Sequence, residues 1–385
     1  MLRFLTAGES HGQELTAIVE GIPAGITVKT EKINSFLQRR QQGYGRGGRM
    51  SIEKDRVNVV SGIRGGKTLG SPVTLIIENK DWANWQEVMD PGPDASLESR
   101  QLNRPRPGHA DLPGGIKYHH RDLRNVLERA SARETAARVA VGGLVMEFLE
   151  ALGIRVISHV VSIGGIRMEA PFPPPEMEAW TIQSPVFCPD QEASLKMIEA
   201  IEKARKERNT LGGIFEIQIF NLPPGLGSFI HWDRRLDGQL SQALMSIPGI
   251  KGVEIGLGFQ GAELPGSQVH DGIYYSDERG FHRVSNRAGG LEGGISNGET
   301  ILLRAAMKPI PTLMNPLPSV DLETKTPVEA STERSDVCAV PAASVVGEAV
   351  VAPVLANAIL EKFGGDSLDE ILLAWNEYWK HVREF

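Results

Sequence analysis

Apolar residues recur along this chain at two periods, and those periods separate helices from strands. Ile33, Phe36, Leu37 and Arg40 fall three or four apart, which predicts a helix after a turn at 21–25, itself preceded by a short strand. Arg40 thereby extends an apolar face. The segments 57–60 and 72–77, β-branched and flanked by Gly or Ser, predict strands. The stretch 81–115 has no periodicity and is rich in Pro, Gly, Asn and Asp; so long an irregular run is usually functional or disordered, and closure over a ligand is expected of it. Residues 121–152 contain no proline and are followed by Gly153, which predicts one long central helix with a glycine stop.

The second half reads the same way. Residues 171–175 mark a proline-rich surface excursion, and 191–209 a charged helix with Leu195, Ile198 and Ile201 inward. Phe215, Ile217 and Ile219 alternate with Glu216 and Gln218 as a half-buried strand does. Leu236, Leu240, Leu244 and Ile247 mark a helix with Asp233 near its start, and a strand resumes at Ile301. Two helices close the chain, one through the Ala/Val-rich tract 339–360 and one from Ser367, whose spacing to Glu370 is that of a capping box. Strands come in adjacent groups, not in strict alternation with helices, so the pattern favours α+β over a doubly wound parallel sheet.

Composition narrows the function classes. The 385 residues include 41 Lys+Arg against 48 Asp+Glu, a formal net charge of -7 that argues against a general nucleic-acid binder. Length alone suggests two or three domains of about 150 residues. The two cysteines, Cys188 and Cys338, sit in no C-x-x-C pair, which fits a reducing cytoplasm. The N-terminus turns polar at Glu9 before a signal-length apolar region develops, and Pro341, Glu348, Pro353 and Asn357 interrupt 339–360, which reads as a buried helix and not a membrane anchor. The arginines nevertheless bunch, at Arg39, Arg40, Arg46 and Arg49, at Arg100, Arg104 and Arg106, and from Arg121 to Arg138. An acidic protein with local arginine clusters points to a small, strongly anionic ligand.

The motifs refine that reading. Gly43-Tyr-Gly-Arg-Gly-Gly48 satisfies G-x-G-x-x-G, but a helix precedes it and an extended pattern follows, the reverse of a dinucleotide fold; flanked by Arg40, Arg46 and Arg49, it is read as a turn wrapping an anion. Arg64-Gly-Gly-Lys-Thr68 lacks the first glycine of a phosphate loop, since Ser61 stands there, and reads as a hairpin turn. Ser10-His11 is no hydrolase elbow, and neighbours on an extended strand face apart. His109, in Arg106-Pro-Gly-His-Ala-Asp111, is a second imidazole suited to proton transfer. Arg129, Ser131 and Arg133 fall inside the predicted central helix, where a buried arginine needs anionic company. Asp336, beside Arg334, is a candidate proton acceptor. No zinc spacing, H-E-x-x-H or calcium loop occurs, so no metal site is expected.

Taken together, Gly8-Glu-Ser-His-Gly12, Gly43 to Arg49, Arg106 to Asp111, Glu128-Arg-Ala-Ser-Ala-Arg-Glu-Thr135, Lys308-Pro-Ile-Pro-Thr312 and Arg334-Ser-Asp336 resemble the chorismate synthase family, bacterial type, over essentially the whole chain. The resemblance implies a single-domain β-α-β sandwich, central helices between two antiparallel sheets, assembled as a homotetramer in the cytoplasm. It implies a lyase that converts 5-enolpyruvylshikimate 3-phosphate to chorismate and phosphate by 1,4-anti elimination, with reduced FMN required and no net redox change. By motif position it assigns proton donation to His11, a place near flavin N1 to His109 and base chemistry to Asp336. It assigns substrate contacts to Ser10, Arg49, Arg106, Ser131, Arg133 and Arg334. Flavin contacts fall on Arg129, Ala130, Ser131, Gly249, Gly293, Lys308, Pro309, Ile310, Pro311, Thr312 and Arg334. Arg40 and Arg46 match positions tied to a pyridine nucleotide in relatives, which makes NADPH a candidate reductant.

Overall fold

The computed structural model describes residues 1–48, 53–169, 174–333 and 335–385, with only the backbone of 174–176. Alternation builds the first sheet from β1 (Arg3–Ala7), β2 (Glu14–Glu20), β3 (Val57–Ser61) and β4 (Val73–Glu78). Leu15, Ala17, Val19, Val73, Leu75 and Ile77 all turn to one face and are buried, as a two-residue period requires. Its order is β1-β2-β4-β3, antiparallel throughout. The second sheet contains β5 (Arg155–Ile163), β6 (Ile166–Arg167), β7 (Gly213–Phe220), β8 (Ile250–Ile255) and β9 (Ile301–Met307) in the antiparallel order β8-β9-β7-β5-β6. Phe215, Ile217, Ile219, Ile301 and Leu303 fill its inner face. The fold is mixed α+β.

The helices are α1 (Thr30–Gln41), α2 (Asp111–Tyr118), α3 (Arg124–Ala130), α4 (Thr135–Ala151), α5 (Pro174–Gln183), α6 (Gln191–Lys206), α7 (Leu236–Met245), α8 (Val340–Phe363) and α9 (Leu368–Glu384). α4 rests on β2 and β4, α8 rests on β5 and β7, and α4 and α8 pack on each other. One contiguous apolar cluster runs through both sheets and both helices. α8 is long and apolar enough to cross a bilayer by composition, yet its most apolar window is 83% buried within the protein, the behaviour of a core helix.

Small residues allow that close helix approach. A Cβ on Gly142 of α4 would lie 2.4 Å from Ala349 Cα of α8. Alanine is the better helix former by roughly 1 kcal/mol, but overpacking a core contact costs about 1–3 kcal/mol. Because the obstructing atom is backbone, the clash wins: Gly142→Ala is expected to lower stability in urea unfolding, and a stabilised variant would show that the two helices are not in this contact.

Several local expectations agree with the structure, and others need correction. Arg40 does extend the buried face of α1, Gly153 follows α4 at φ +78°, Arg64 pairs with Lys67 across a tight hairpin, and Ser367 forms a complete capping box with Glu370. The predicted helix over 121–152 is broken, however. Ser131 is extended (φ -66°, ψ 141°), and a 3-10 turn, Ala132–Glu134, separates α3 from α4. Its hydroxyl accepts the Arg133 N–H, so a side chain replaces the helical ladder there. Leu195 is 64% exposed, because the buried stripe of α6 runs through Ala193, Met197, Ile201 and Ala204 and Leu195 lies between its turns. The stretch 81–115 holds two 3-10 turns and the start of α2. Asp233 lies in a 3-10 turn and pairs with His231 instead of capping α7.

Candidate active site

The first cluster forms where the β1–β2 connection passes under α3. Gly8 opens the turn at φ +106°, where a Cβ would meet the Glu14 carbonyl oxygen at 2.3 Å. Only glycine fits. The turn is no longer extended strand, so Ser10 and His11 are both buried instead of facing apart. Ser10 donates its backbone N–H to the Glu128 carbonyl at 2.9 Å and its hydroxyl to Ser131 Oγ at 3.0 Å. The break at Ser131 is what turns that hydroxyl towards Ser10.

His11 is held from two sides. Its backbone N–H donates to Glu128 Oε2 at 2.8 Å, its Nδ1 lies 2.8 Å from Glu128 Oε1, and its ring stacks on Trp85 with centroids 3.9 Å apart. A carboxylate can only accept, so Nδ1 carries the hydrogen. Arg124 stands 3.5 Å from the same carboxylate and 3.0 Å from Glu333, while Arg100 and Arg124 both lie over the Trp85 ring. Burial pushes the Glu128 carboxyl up, but the His11 hydrogen bonds and the Arg124 charge outweigh it and hold the group below the usual range.

A buried charge network braces this turn. Arg133 donates to Asp55 at 2.6 Å and to Asn79 at 2.8 Å and approaches Glu53 at 3.6 Å. Asn79 in turn donates to the carbonyls of Glu9 and Gly12. Arg40 donates to Thr135 and to the Ala132 carbonyl and lies 3.4 Å from Asp55; burial draws it down to about 10, against the pull of Asp55. Two guanidiniums meet two carboxylates, so the set is neutral overall and supplies the anionic company that a buried arginine needs. Arg133 is placed as a strut through Asn79.

The second cluster lies where the loop before α2 folds onto 308–331. Arg106 grips Asp111 with two N–H groups at 2.8 and 3.0 Å and donates to Thr312 at 3.1 Å. His109 Nδ1 lies 2.6 Å from the same carboxylate and 3.0 Å from an Arg106 nitrogen. The ring hydrogen goes to the carboxylate, and the arginine contact is one of charge proximity. Burial opposes ionisation of Asp111, but His109 and Arg106 hold its carboxyl well below the usual range. Lys308 donates through its ammonium to the Gly108 carbonyl and through its backbone to Gly249, and Thr210 holds the Ile310 carbonyl. Lys308, Pro309, Ile310, Pro311, Thr312 and Gly249 are thus brought beside Arg106 and His109. Burial, and then Lys251, lower the Lys308 ammonium.

The glycine run wraps an anion of the protein itself. Gly47 donates its N–H to Asp336 Oδ1 at 2.6 Å, Arg46 lies 2.8 Å from Oδ2, and the Gly45 carbonyl accepts from Val337. A Cβ on Gly47 would meet the Ser335 carbonyl oxygen at 2.8 Å. The segment 331–336 also joins the two clusters, since Ser331 donates to Arg104 and Glu333 accepts from Arg124. Arg49 and Arg334 lie outside the described residues. Arg129 is exposed and turns to Thr6 and Gly8 on β1, with half-buried Ala130 beside it. Gly293 stands apart, on a small hairpin with open space at its Cβ position. Among the described residues no three His, Cys, Asp or Glu side chains gather as a cation site.

Sequence reasoning had not assigned Glu128, Trp85, Asp55, Asn79 or Asp111 to the site. Glu128 carried a signal in its four-residue spacing from Arg124, and Asp111 in its place after His109. Trp85 carried none, because ring stacking across the chain has no local period.

Two buried histidines, each backed by a carboxylate that also meets an arginine, describe an enzyme that moves protons beside an anion, and its relatives are lyases of the shikimate pathway. The chain belongs to the chorismate synthase family, whose sequence model, described as Chorismate synthase, matches residues 2–360. It is 60% identical over 386 residues to the chorismate synthase of Desulforamulus reducens, covering 100% of both chains. It is 60% identical over 390 residues to that of Moorella thermoacetica, covering 99% of this chain and 100% of the relative. A crystal structure of a chorismate synthase superposes with a TM-score of 0.82 at 46% identity, covering 100% of this chain and 99% of that one.

Proposed function

We propose that this protein converts 5-enolpyruvylshikimate 3-phosphate to chorismate and phosphate by 1,4-anti elimination, with reduced FMN present and no net redox change. The observation that carries this reading is the pair of histidine–carboxylate–arginine clusters joined by the 331–336 segment, in a chain of this family. His11 donates a proton to the departing phosphate, which lowers the cost of C–O cleavage. Asp336, fixed by Arg46 and Gly47, is the proton acceptor of the set. Ser10 and Ser131 offer hydroxyls to the substrate, and Arg49, Arg106, Arg133 and Arg334 its cationic surroundings.

The residues present fit a flat, anionic cofactor. Gly249 holds φ +89° on the backbone that bonds Lys308, and Lys308, Arg106 and His109 supply positive charge beside it. Gly249, Lys308 to Thr312, Arg129 to Ser131, Gly293 and Arg334 would hold reduced FMN, with His109 near N1. When bound, reduced FMN supplies the electron density that phosphate loss needs, because no carbonyl acidifies the hydrogen that leaves. NADPH as reductant rests on Arg40 and Arg46, and their surroundings lend it little, since Arg40 is 4% exposed and Arg46 pairs with Asp336. The packing of α4 and α8 between the two sheets supports one β-α-β sandwich domain across the chain. The family likeness supports a homotetramer acting on a small anionic substrate, without nucleic acid or membrane. A cytoplasmic setting suits Cys188 and Cys338, both free and buried, with burial raising their thiols to about 11 and about 12.

Incubation of the purified protein with dithionite-reduced FMN and the phosphorylated substrate tests the reading. Phosphate and chorismate should appear without ATP; binding without release would replace it with a storage or binding role. Asp336→Asn should lower turnover on the order of 10²-fold with substrate affinity retained, since the amide still accepts from Gly47 but cannot take a proton. An unchanged rate would remove the acceptor role.

A further inference from the structure

We propose that Glu128 is a positioning residue for the proton that His11 delivers, an inference that rests on the elimination reading above. The argument starts from what one carboxylate does twice to one residue. Oε2 accepts the His11 backbone N–H at 2.8 Å, and Oε1 lies 2.8 Å from its ring Nδ1. Backbone and ring are then fixed relative to each other, and the turn about the side chain is lost. Trp85 covers one ring face at 3.9 Å, which blocks the ring flip that would exchange the nitrogens. With Nδ1–H committed to Glu128, Nε2 is the other protonation site of the ring, and its direction is set by the clamp.

The charge of Glu128 matters as much as its shape. A carboxylate against Nδ1 favours the protonated ring, the form that can donate. Several groups face this pair. From α3 come Glu128 and, behind it, Arg124, which is shared with Glu333; from the far side comes Trp85, flanked by Arg100 and bonded through its indole N–H to Asp81; the turn itself carries Glu9. Arg124 lies 3.5 Å from the carboxylate while the ring nitrogen lies at 2.8 Å, so the histidine is the closer partner. The same construction recurs independently at His109, where Asp111 faces Nδ1 and Arg106 grips the carboxylate. Two copies of one arrangement, on different elements, are what proton-handling histidines require and what bulk salt-bridge formation would not produce twice.

The test compares Glu128→Gln, Glu128→Asp and His11→Ala, singly and with Glu128→Gln and His11→Ala combined, in the phosphate-release assay with reduced FMN. Glu128→Gln should lower kcat on the order of 10²-fold with KM changed less than about threefold. Its alkaline limb in kcat/KM should move to lower pH, because a neutral amide no longer favours the charged ring. Glu128→Asp keeps the charge and should leave that limb in place. The combined variant should be no slower than His11→Ala alone, the sign of two residues acting as one unit. A rate for Glu128→Gln near wild type, or losses that add in the combined variant, would overturn the proposal while an inactive His11→Ala left the elimination reading intact. An active His11→Ala would instead sink that reading itself. Should Glu128→Gln not fold, Glu128→Asp combined with His11→Ala decides by the same additivity.

Discussion

His11→Ala is expected to reduce turnover on the order of 10³-fold, within the range that a positioned proton donor contributes, while the affinity for reduced FMN stays within about twofold of wild type. The fold should survive the change. Alanine keeps the backbone N–H that Glu128 accepts, and Arg124 remains beside the carboxylate, so Glu128 is not left as an uncompensated buried charge. The flavin contacts proposed around Gly249 and Lys308 to Thr312 belong to the second cluster and lose nothing directly. Single-turnover phosphate release together with flavin titration separates the alternatives. If flavin affinity collapsed while the residual rate at saturating FMN matched wild type, His11 would be a binding residue and the donor role would pass elsewhere.

The second large effect is on stability. Arg133→Met should destabilise the protein by about 3–5 kcal/mol, the usual consequence of removing one partner from a buried ion pair. Asp55 and Glu53 have fully buried side chains, and Arg40, 3.4 Å from Asp55, cannot serve both. Arg133 is also the only cation here that reaches Asn79 in the described residues, and Asn79 pins the Glu9 and Gly12 carbonyls on either side of Ser10 and His11. Turnover should therefore fall along with stability. The pH dependence has a definite sign. In the variant a proton can replace the missing cation on a buried carboxylate, so the folded state binds protons more tightly than the unfolded one, and the deficit should be smaller at pH 5 than at pH 8 in urea unfolding. A deficit below about 1 kcal/mol, or one that does not narrow with acid, would show that the network is not closed as described.

Much of the site was present in the motifs, but the use of its charges was not. The arginine clusters read as hands for an external anion, and several of them hold internal carboxylates: Arg40 and Arg133 on Asp55, Arg46 on Asp336, Arg106 on Asp111. Clustered cations in a sequence reveal that anions must be near, not which anions. His11 and Glu128 are 117 residues apart, and no spacing rule joins them.

By itself the sequence determined the periodic parts of this protein. The alternation of β2, β4 and β7, the apolar stripes of α1 and α7, the buried α8 and the caps at Gly153 and Ser367 all follow from which side of a strand or helix must leave water, a local question that neighbouring residues answer. Tertiary structure decided where the long helix stops at Ser131, which ring covers His11 and which carboxylate each arginine meets. Those outcomes depend on groups far apart in the chain competing for the same few hydrogen bonds in a space from which water has been removed, and only the assembled fold sets that competition.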